Sequence, residues 1–154
     1  ETTSQMLRLI SALDIMDKSV LDMGCGTAVL AILAYQLGAG RILAVDNDEW
    51  AYRNSLDNVE LNGAGIEVKM GDAALLQNLS FDIIFANINR NILLEDIPAY
   101  NSSLNQGGIL LMSGFYEEDL AVIREKAESC ELIMGKTSLE NRWMAVEFIK
   151  HQAQ

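Results

Sequence analysis

A short glycine-containing segment, VLDMGCGT at residues 20–27, carries the residues best suited to bind a ligand. Gly24 and Gly26 follow an apolar run, and glycines at such a turn let the backbone bend tightly and approach a ligand closely. A dinucleotide site needs a third glycine where this chain has Val29, and a P-loop needs a lysine after the glycines. The segment therefore favours a nucleoside ligand that is bound without phosphate contacts. The alternative is an ordinary turn between a strand and a helix that binds no ligand.

Two aspartates stand at the ends of the next two β-like runs. Asp46 ends RILAVD, 20 residues after Gly26, where a carboxylate can accept both hydrogen bonds of a ribose diol. Asp72, in the segment GDA, is placed to accept a hydrogen bond from an adenine amino group. Each aspartate alone is more typical of a strand end or helix cap than of a ligand contact. Taken together, the three strand ends predict a nucleoside site.

Alternating β-like and helical segments must bring these residues together. We predict strands in the runs KSVLDM, RILAVD, IEVKM, FDIIFA and ILLMS, separated by helices, with Ser4 as the cap of the first helix. Strands that alternate with helices form a mostly parallel, doubly wound sheet with helices on both faces. Ligands bind such sheets at the carboxyl ends of the strands, where the glycine turn and both aspartates lie.

The last part of the chain departs from this alternation. Two β-like runs, near residues 130–135 and 142–150, are joined by a short connection. They must be antiparallel, because a parallel return needs a crossover of a dozen or more residues. We find no internal repeat and no domain boundary, so the sequence predicts one α/β domain over residues 1–150 that ends in an antiparallel hairpin.

The amino-acid composition limits which reactions and which binding partners are plausible. The formal net charge of −11 repels phosphate backbones, so we expect no direct nucleic-acid binding and consider a basic partner better suited. The single histidine, His151, lies in a polar tail, which argues against serine-histidine catalysis and a histidine-bound metal. Distant Cys25 and Cys130 and the lack of a membrane-spanning apolar run favour a reduced, cytoplasmic setting. Because the chain opens at Glu1 and not at methionine, we expect it to be a fragment.

The segments VLDMGCGT, AVD, GDA and FDIIFANI, in this order, resemble those of class I S-adenosylmethionine-dependent methyltransferases. That Rossmann-like fold also ends in an antiparallel hairpin. A finer resemblance, over essentially the whole chain, is to the ribosomal protein L11 methyltransferases. Its motifs are the Thr-Thr of ETTSQML, the Ala-Asn-Ile after the fourth strand, the Ser-Gly of LLMSGF and the Trp-x-Ala of RWMAV. The resemblance implies an N-terminal substrate-recognition domain as well, which we expect to be missing from this fragment.

The resemblance implies S-adenosylmethionine as the cofactor, released as S-adenosylhomocysteine. Many relatives have an apolar residue against the adenine ring where this chain has Asn47. The cofactor-contacting residues implied by the family and by the broader fold pattern are Thr3, Asp22, Gly24, Cys25, Gly26, Asp46, Asn47, Asp72, Ala73 and Asn87.

The segment ANIN bears on the reaction itself. Neither proline nor an aromatic residue follows Asn87, as they do in enzymes that methylate nucleobase amines, so an aliphatic amine is favoured. We hypothesise that Asn87 holds either the methionine end of the cofactor or the incoming amine, while the Ile88 carbonyl orients the amine. Alignment then supplies the rate, with no dedicated general base. Cys25 as a nucleophile is the weaker interpretation.

The resemblance implies an S-adenosylmethionine-dependent protein N-methyltransferase. Its substrate would be a basic ribosomal protein, L11, modified on lysine or N-terminal amino groups. Two alternatives stay open, because a fold does not fix a substrate. One is a methyltransferase for another amine or a small molecule. The other is a cofactor-binding domain that is inactive without its partner domain.

Overall fold

The computed structural model describes residues 2–151, and Glu1, which opens the segment ETTSQML, lies outside them. Within this range seven strands form one sheet. They are β1 (Ser19–Met23), β2 (Arg41–Asp46), β3 (Glu67–Met70), β4 (Phe81–Asn87), β5 (Leu104–Tyr116), β6 (Leu132–Glu140) and β7 (Trp143–Lys150). The spatial order is β3-β2-β1-β4-β5-β7-β6.

Strand direction follows the predicted pattern. The pairs β1–β2, β2–β3, β1–β4 and β4–β5 are all parallel. β7 is antiparallel to both of its neighbours, β5 and β6. The connection between β6 and β7 is two residues long, and both Asn141 and Arg142 have positive φ, at 51° and 71°. Positive φ at both positions is typical of the tight turns that join antiparallel strands, and the predicted C-terminal hairpin is confirmed.

Helices cover both faces of the sheet, as the alternation predicts. They are α1 (Thr2–Ser11), α2 (Val29–Gln36), α3 (Glu49–Leu61), α4 (Arg90–Ser103) and α5 (Leu120–Ser129), with 3-10 turns at Ala73–Leu76 and Glu117–Asp119. One apolar core contains buried residues of α1 and α2, and a second contains those of α4 and α5. Between residues 2 and 151, no helix is long and apolar enough to cross a membrane.

Strand residues alternate between these two cores. In β1, Val20 belongs to the core beneath α1 and α2, whereas its neighbour Leu21 belongs to the core beneath α4 and α5. Successive side chains of a strand point to opposite faces, and a strand covered on both faces is apolar throughout. This is why the short runs that form β1, β2 and β4 carry no polar alternation.

The start of α1 differs from the prediction. Ser4 was predicted to cap this helix, but the helix begins at Thr2 and Ser4 lies inside it. The fully buried side chain of Gln5 ties this end of α1 to the hairpin, because its Nε2 donates to the carbonyl of Trp143 at 2.9 Å. This contact between residues distant in sequence secures the first half of α1 against β7.

Candidate functional site

A cavity of about 240 Å³ opens at the carboxyl edge of the parallel strands. Elements on both sides of β1 contribute to it, as expected where the winding of an open α/β sheet reverses. Its lining residues are Met23, Gly24, Val45, Asp46, Asn47, Gly71, Asp72, Asn87, Ile88, Ile92 and Asp96. Six residues that the sequence predicts for the site thus meet in one cavity: Gly24, Asp46, Asn47, Asp72, Asn87 and Ile88.

The glycine turn after β1 packs against the end of β4. Gly24 has φ of +70°, and a Cβ added to it would lie 2.7 Å from Cγ1 of Ile88. The backbone N–H groups of Gly24 and Cys25 both donate to the carbonyl of Val45, at 2.8 and 3.0 Å. The turn is therefore fastened to β2, and glycine lets the Ile88 side chain lie directly against the backbone.

Asp46 ties three elements together at the rim of the cavity. Its Oδ2 accepts a hydrogen bond from the N–H of Gly26 at 2.9 Å, and its Oδ1 accepts one from the N–H of Asp48 at 3.0 Å. Its backbone carbonyl accepts from the N–H of Gly71 at 2.9 Å. The carboxylate is thus held in place before any ligand arrives. Each oxygen keeps acceptor capacity for a further hydrogen bond.

Asp72 and Asp96 are two further carboxylates that line the cavity. Asp72 caps the 3-10 turn at Ala73–Leu76, since its Oδ1 accepts from the N–H of Ala74 at 2.9 Å. Burial, followed by the charges of Glu95 and Asp72, raises the pKa of Asp96. The sequence reasoning missed Asp96 and Ile92. Their spacing of four residues places both on one face of α4, directly after Asn87-Ile88, and this spacing was the available signal.

Asp22 is buried and is not among the lining residues of the cavity. It is only 1% exposed, and its Oδ2 accepts from the N–H of Ala31 at 3.2 Å, within the first turn of α2. Burial raises its pKa to about 7, and the nearby charge of Asp46 adds to the increase. The carboxyl group therefore holds the start of α2, and a direct cofactor contact stays a prediction.

Cys25 points away from the cavity. Its side chain is 7% exposed, and Sγ lies 3.3 Å from the hydroxyl oxygen of Ser55 on α3. Burial, together with the charge of Asp22, raises the thiol pKa to about 12. A thiol that stays protonated at neutral pH is a poor nucleophile, which argues against the nucleophile interpretation. Thr3, Gly26 and Ala73 also lie outside the lining residues, so their predicted contacts stay predictions.

Asn87 and Ile88 are held by β5. The hydroxyl of Ser113 donates to Oδ1 of Asn87 at 2.9 Å, and the N–H of Ile88 donates to the carbonyl of Ser113 at 3.1 Å. The next residue, Asn89, caps α4 by accepting from the N–H of Ile92 at 3.1 Å. The end of β4 is thereby fixed on two sides.

Charged groups near the site do not form a metal centre. Between residues 2 and 151, no group of three or more histidine, cysteine, aspartate or glutamate side chains is placed to hold a metal ion. Arg90, which follows Asn89, pairs with Asp119 at 2.9 Å. The cavity offers the carboxylates of Asp46, Asp72 and Asp96 and the amides of Asn47 and Asn87 for hydrogen bonding, beside apolar side chains.

The strand order, the glycine turn and the acidic strand ends together define a class I methyltransferase fold. The sequence matches the profile of the family described as Ribosomal protein L11 methyltransferase (PrmA) over residues 1–151. It is 49% identical over 150 residues to a ribosomal protein L11 methyltransferase of Porphyromonas gingivalis, covering 96% of this chain and 52% of that protein. The chain belongs to the ribosomal protein L11 methyltransferase family.

Solved structures agree with this assignment. The ribosomal protein L11 methylase of Lactobacillus delbrueckii subsp. bulgaricus superposes with a TM-score of 0.87 at 29% identity, covering 97% of this chain and 79% of that one. A putative methyltransferase solved in complex with SAH superposes with a TM-score of 0.79 at 17% identity, over 96% of this chain and 49% of that one. At 17% identity, this second similarity supports the fold and nothing about function. The chain spans about half the length of the curated relatives it matches.

Proposed function

We propose that this chain is the catalytic domain of an enzyme that transfers methyl groups from S-adenosylmethionine to amino groups of ribosomal protein L11. The observation that carries the proposal is the single cavity in which Gly24, Asp46, Asp72 and Asn87 meet, in a chain of that family. Family membership supports the substrate, and the residues of the cavity support the cofactor.

The lining residues fit S-adenosylmethionine. Asp46, fixed by two backbone N–H groups, can accept from the ribose hydroxyls, and the free oxygen of Asp72 can accept from the adenine amino group. Val45 and Ile92 offer apolar surface to the adenine ring. When bound, the cofactor supplies a methyl group on a positively charged sulfur.

The protein's own residues prepare the amine. A lysine amine has a pKa of about 10.4 in water and must lose a proton before it can attack. The apolar surface of Ile88 and Ile92 disfavours the charged amine, and a nearby positive charge lowers the amine pKa further. The Ile88 carbonyl accepts one amine N–H and so directs the lone pair into the cavity. With its pKa lowered, the amine loses its proton to water before the methyl transfer, so no dedicated general base is needed, and alignment supplies the rate.

The rest of the proposal concerns the partner and the setting. A net charge of −11 complements a basic ribosomal protein and disfavours direct nucleic-acid contact. Because the relatives are about twice as long, we infer that residues 1–150 form the methyltransferase domain and that substrate recognition needs a further domain. A ribosomal protein substrate and two free cysteines support a cytoplasmic setting.

Calorimetry tests the cofactor. S-adenosylmethionine should bind the wild-type chain, and Asp46→Ala should abolish binding or weaken it at least about tenfold, because a hydrogen bond to a charged group is lost. Asp57→Ala is the matched control, since it removes an exposed carboxylate of α3 outside the cavity. No binding, or equal binding by the Asp46→Ala variant, contradicts the proposal.

Radiolabelled cofactor tests the substrate. The chain and the longest natural form of the protein are each incubated with separated ribosomal proteins, and label is expected on L11. Label on a different amine would favour another methyltransferase, as fold alone does not fix substrate. Cofactor binding with no transfer by either form would favour a binding domain without activity.

A further inference from the structure

Ser113 contacts Asn87 through its hydroxyl at the carboxyl end of β5. Its side chain is fully buried, and Oγ donates to Oδ1 of Asn87 at 2.9 Å. A hydroxyl hydrogen with no acceptor in such a site is destabilising. If the Asn87 amide turned over, its NH₂ group would face the hydroxyl, and the hydroxyl hydrogen would lose this acceptor. The buried serine therefore selects one of the two amide orientations.

The selected orientation leaves the Nδ2 hydrogens of Asn87 available. Within residues 2–151, no hydrogen bond from Nδ2 is formed, and this half-buried side chain lines the cavity. An amide nitrogen is a donor only, so its ligand partner must be an acceptor. A neutral amine about to attack needs its lone pair for the methyl carbon, and a hydrogen bond from Nδ2 would occupy that lone pair. The amine is therefore the wrong partner, and a carboxylate oxygen is a suitable one.

Gly114, the residue after Ser113, packs against the backbone of Ile88. It has φ of +98°, and a Cβ added to it would lie 2.5 Å from the carbonyl oxygen of Ile88 and 2.9 Å from the carbonyl carbon. Glycine thus lets β5 pack directly against the peptide group of Ile88. Two consecutive residues of β5 thus contact Asn87, the last residue of β4, and Ile88, which follows it, so Ser113-Gly114 shapes Asn87-Ile88 as a unit.

We propose that Ser113 is a positioning residue whose hydroxyl holds the Asn87 amide with Nδ2 available to the methionine carboxylate of the cofactor. This inference rests on the proposed function and deepens it. It assigns Asn87 to the cofactor and leaves the Ile88 carbonyl as the acceptor for the amine.

Cofactor affinity, without methyl transfer, tests the inference. S-adenosylhomocysteine is titrated into wild-type protein, Asn87→Ala, Ser113→Ala and the double variant. We expect affinity to fall about tenfold in Asn87→Ala and about threefold to tenfold in Ser113→Ala. The double variant should bind no more weakly than Asn87→Ala, because the serine acts only through the amide. Additive losses would overturn the inference.

Two controls separate positioning from general damage. Ser103→Ala removes another buried hydroxyl, one that donates to the carbonyl of Leu76 at 3.1 Å, and should leave affinity unchanged. 5′-Methylthioadenosine has the adenosine but not the carboxylate, so Ser113→Ala should leave its affinity unchanged. An equal loss for both nucleosides would contradict the inference.

Nuclear magnetic resonance gives a readout independent of affinity. The Asn87 side-chain NH₂ signals, identified by their absence in Asn87→Ala, should shift when S-adenosylhomocysteine binds and shift less in Ser113→Ala. Signals that stay in place while the ligand binds would overturn the inference alone. Coupled binding without label on L11 would overturn the proposed substrate and leave the inference standing. A chain that does not bind S-adenosylhomocysteine would overturn both.

Discussion

Replacing Gly24 with alanine tests how closely the glycine turn packs against the end of β4. At φ of +70°, the new Cβ would lie 2.7 Å from Cγ1 and 2.9 Å from Cδ1 of Ile88. These distances are shorter than contacts between carbon atoms allow. The Ile88 side chain must therefore move, and it lines the cavity.

Gly26 provides a matched comparison for the size of this effect. It also has positive φ, +58°, but a Cβ added there would meet nothing within 4 Å. Left-handed backbone costs an L-residue about 1–2 kcal/mol, which applies to both variants. Overpacking costs about 1–3 kcal/mol more and applies only at Gly24. We expect Gly24→Ala to lower the free energy of unfolding by about 2–5 kcal/mol and Gly26→Ala by about 1–2 kcal/mol.

Urea unfolding followed by circular dichroism, without cofactor, measures both losses. For a chain of this length, each kcal/mol corresponds to about 2–4 °C in the melting temperature. Adding Ile88→Ala removes Cγ1 and Cδ1, so it should be less destabilising in the Gly24→Ala background than in the Gly26→Ala background. Equal losses for the two glycine variants, or equal effects of Ile88→Ala in both backgrounds, would refute the packing argument.

Three further predictions concern buried groups. Because the pKa of Asp22 is raised to about 7 from its ordinary 3.8, the folded state holds this proton more tightly than the unfolded chain. Its contribution to stability therefore falls as pH rises from about 4 to about 7, by at most about 1.4 kcal/mol per pH unit. Asp22→Asn should flatten this slope in urea unfolding, and unchanged slopes would contradict it. Iodoacetamide at about pH 8 should alkylate half-buried Cys130 before buried Cys25, as followed by intact-mass spectrometry. In the Cys130→Ser variant only Cys25 can react, so rapid alkylation of that variant would contradict this order. Gln5→Ala should lower the free energy of unfolding by about 1–3 kcal/mol because a buried hydrogen bond to β7 is lost, whereas Arg8→Ala, in an exposed ion pair, should lower it by about 0–1 kcal/mol, and equal losses would refute the distinction.

Local patterns were sufficient to predict the central elements of the fold. The runs that form β1, β2 and β4 are apolar because both faces of these strands are covered, and the helices between them require parallel crossovers. The end of α1 was not predictable in this way. Ser4 looked like a cap, but the contact of Gln5 with Trp143 belongs to a distant part of the chain. The local sequence around Ser4 carries no sign of this long-range contact.

In the candidate site too, some residues were predictable from local sequence and others depend on long-range packing. Asp46 and Asp72 were predictable because residues at the ends of parallel strands share one edge of the sheet. Strand alternation also decides where the Asp22 side chain lies. Its neighbours Leu21 and Met23 both belong to the core beneath α4 and α5, so the carboxyl group must face α2. Asp96 was not predicted as a site residue, because its position near Asp72 depends on how α4 packs.

On the sequence alone, a structural role and a ligand contact are alternatives for each aspartate, but one carboxylate can serve both. Asp46 accepts from two backbone N–H groups and still lines the cavity. Asp72 caps a 3-10 turn with one oxygen and also lines the cavity. A carboxylate already held by the backbone loses little conformational freedom when a ligand binds, and preorganisation of this kind favours affinity. The structural role of these aspartates is therefore an argument for the proposed binding role.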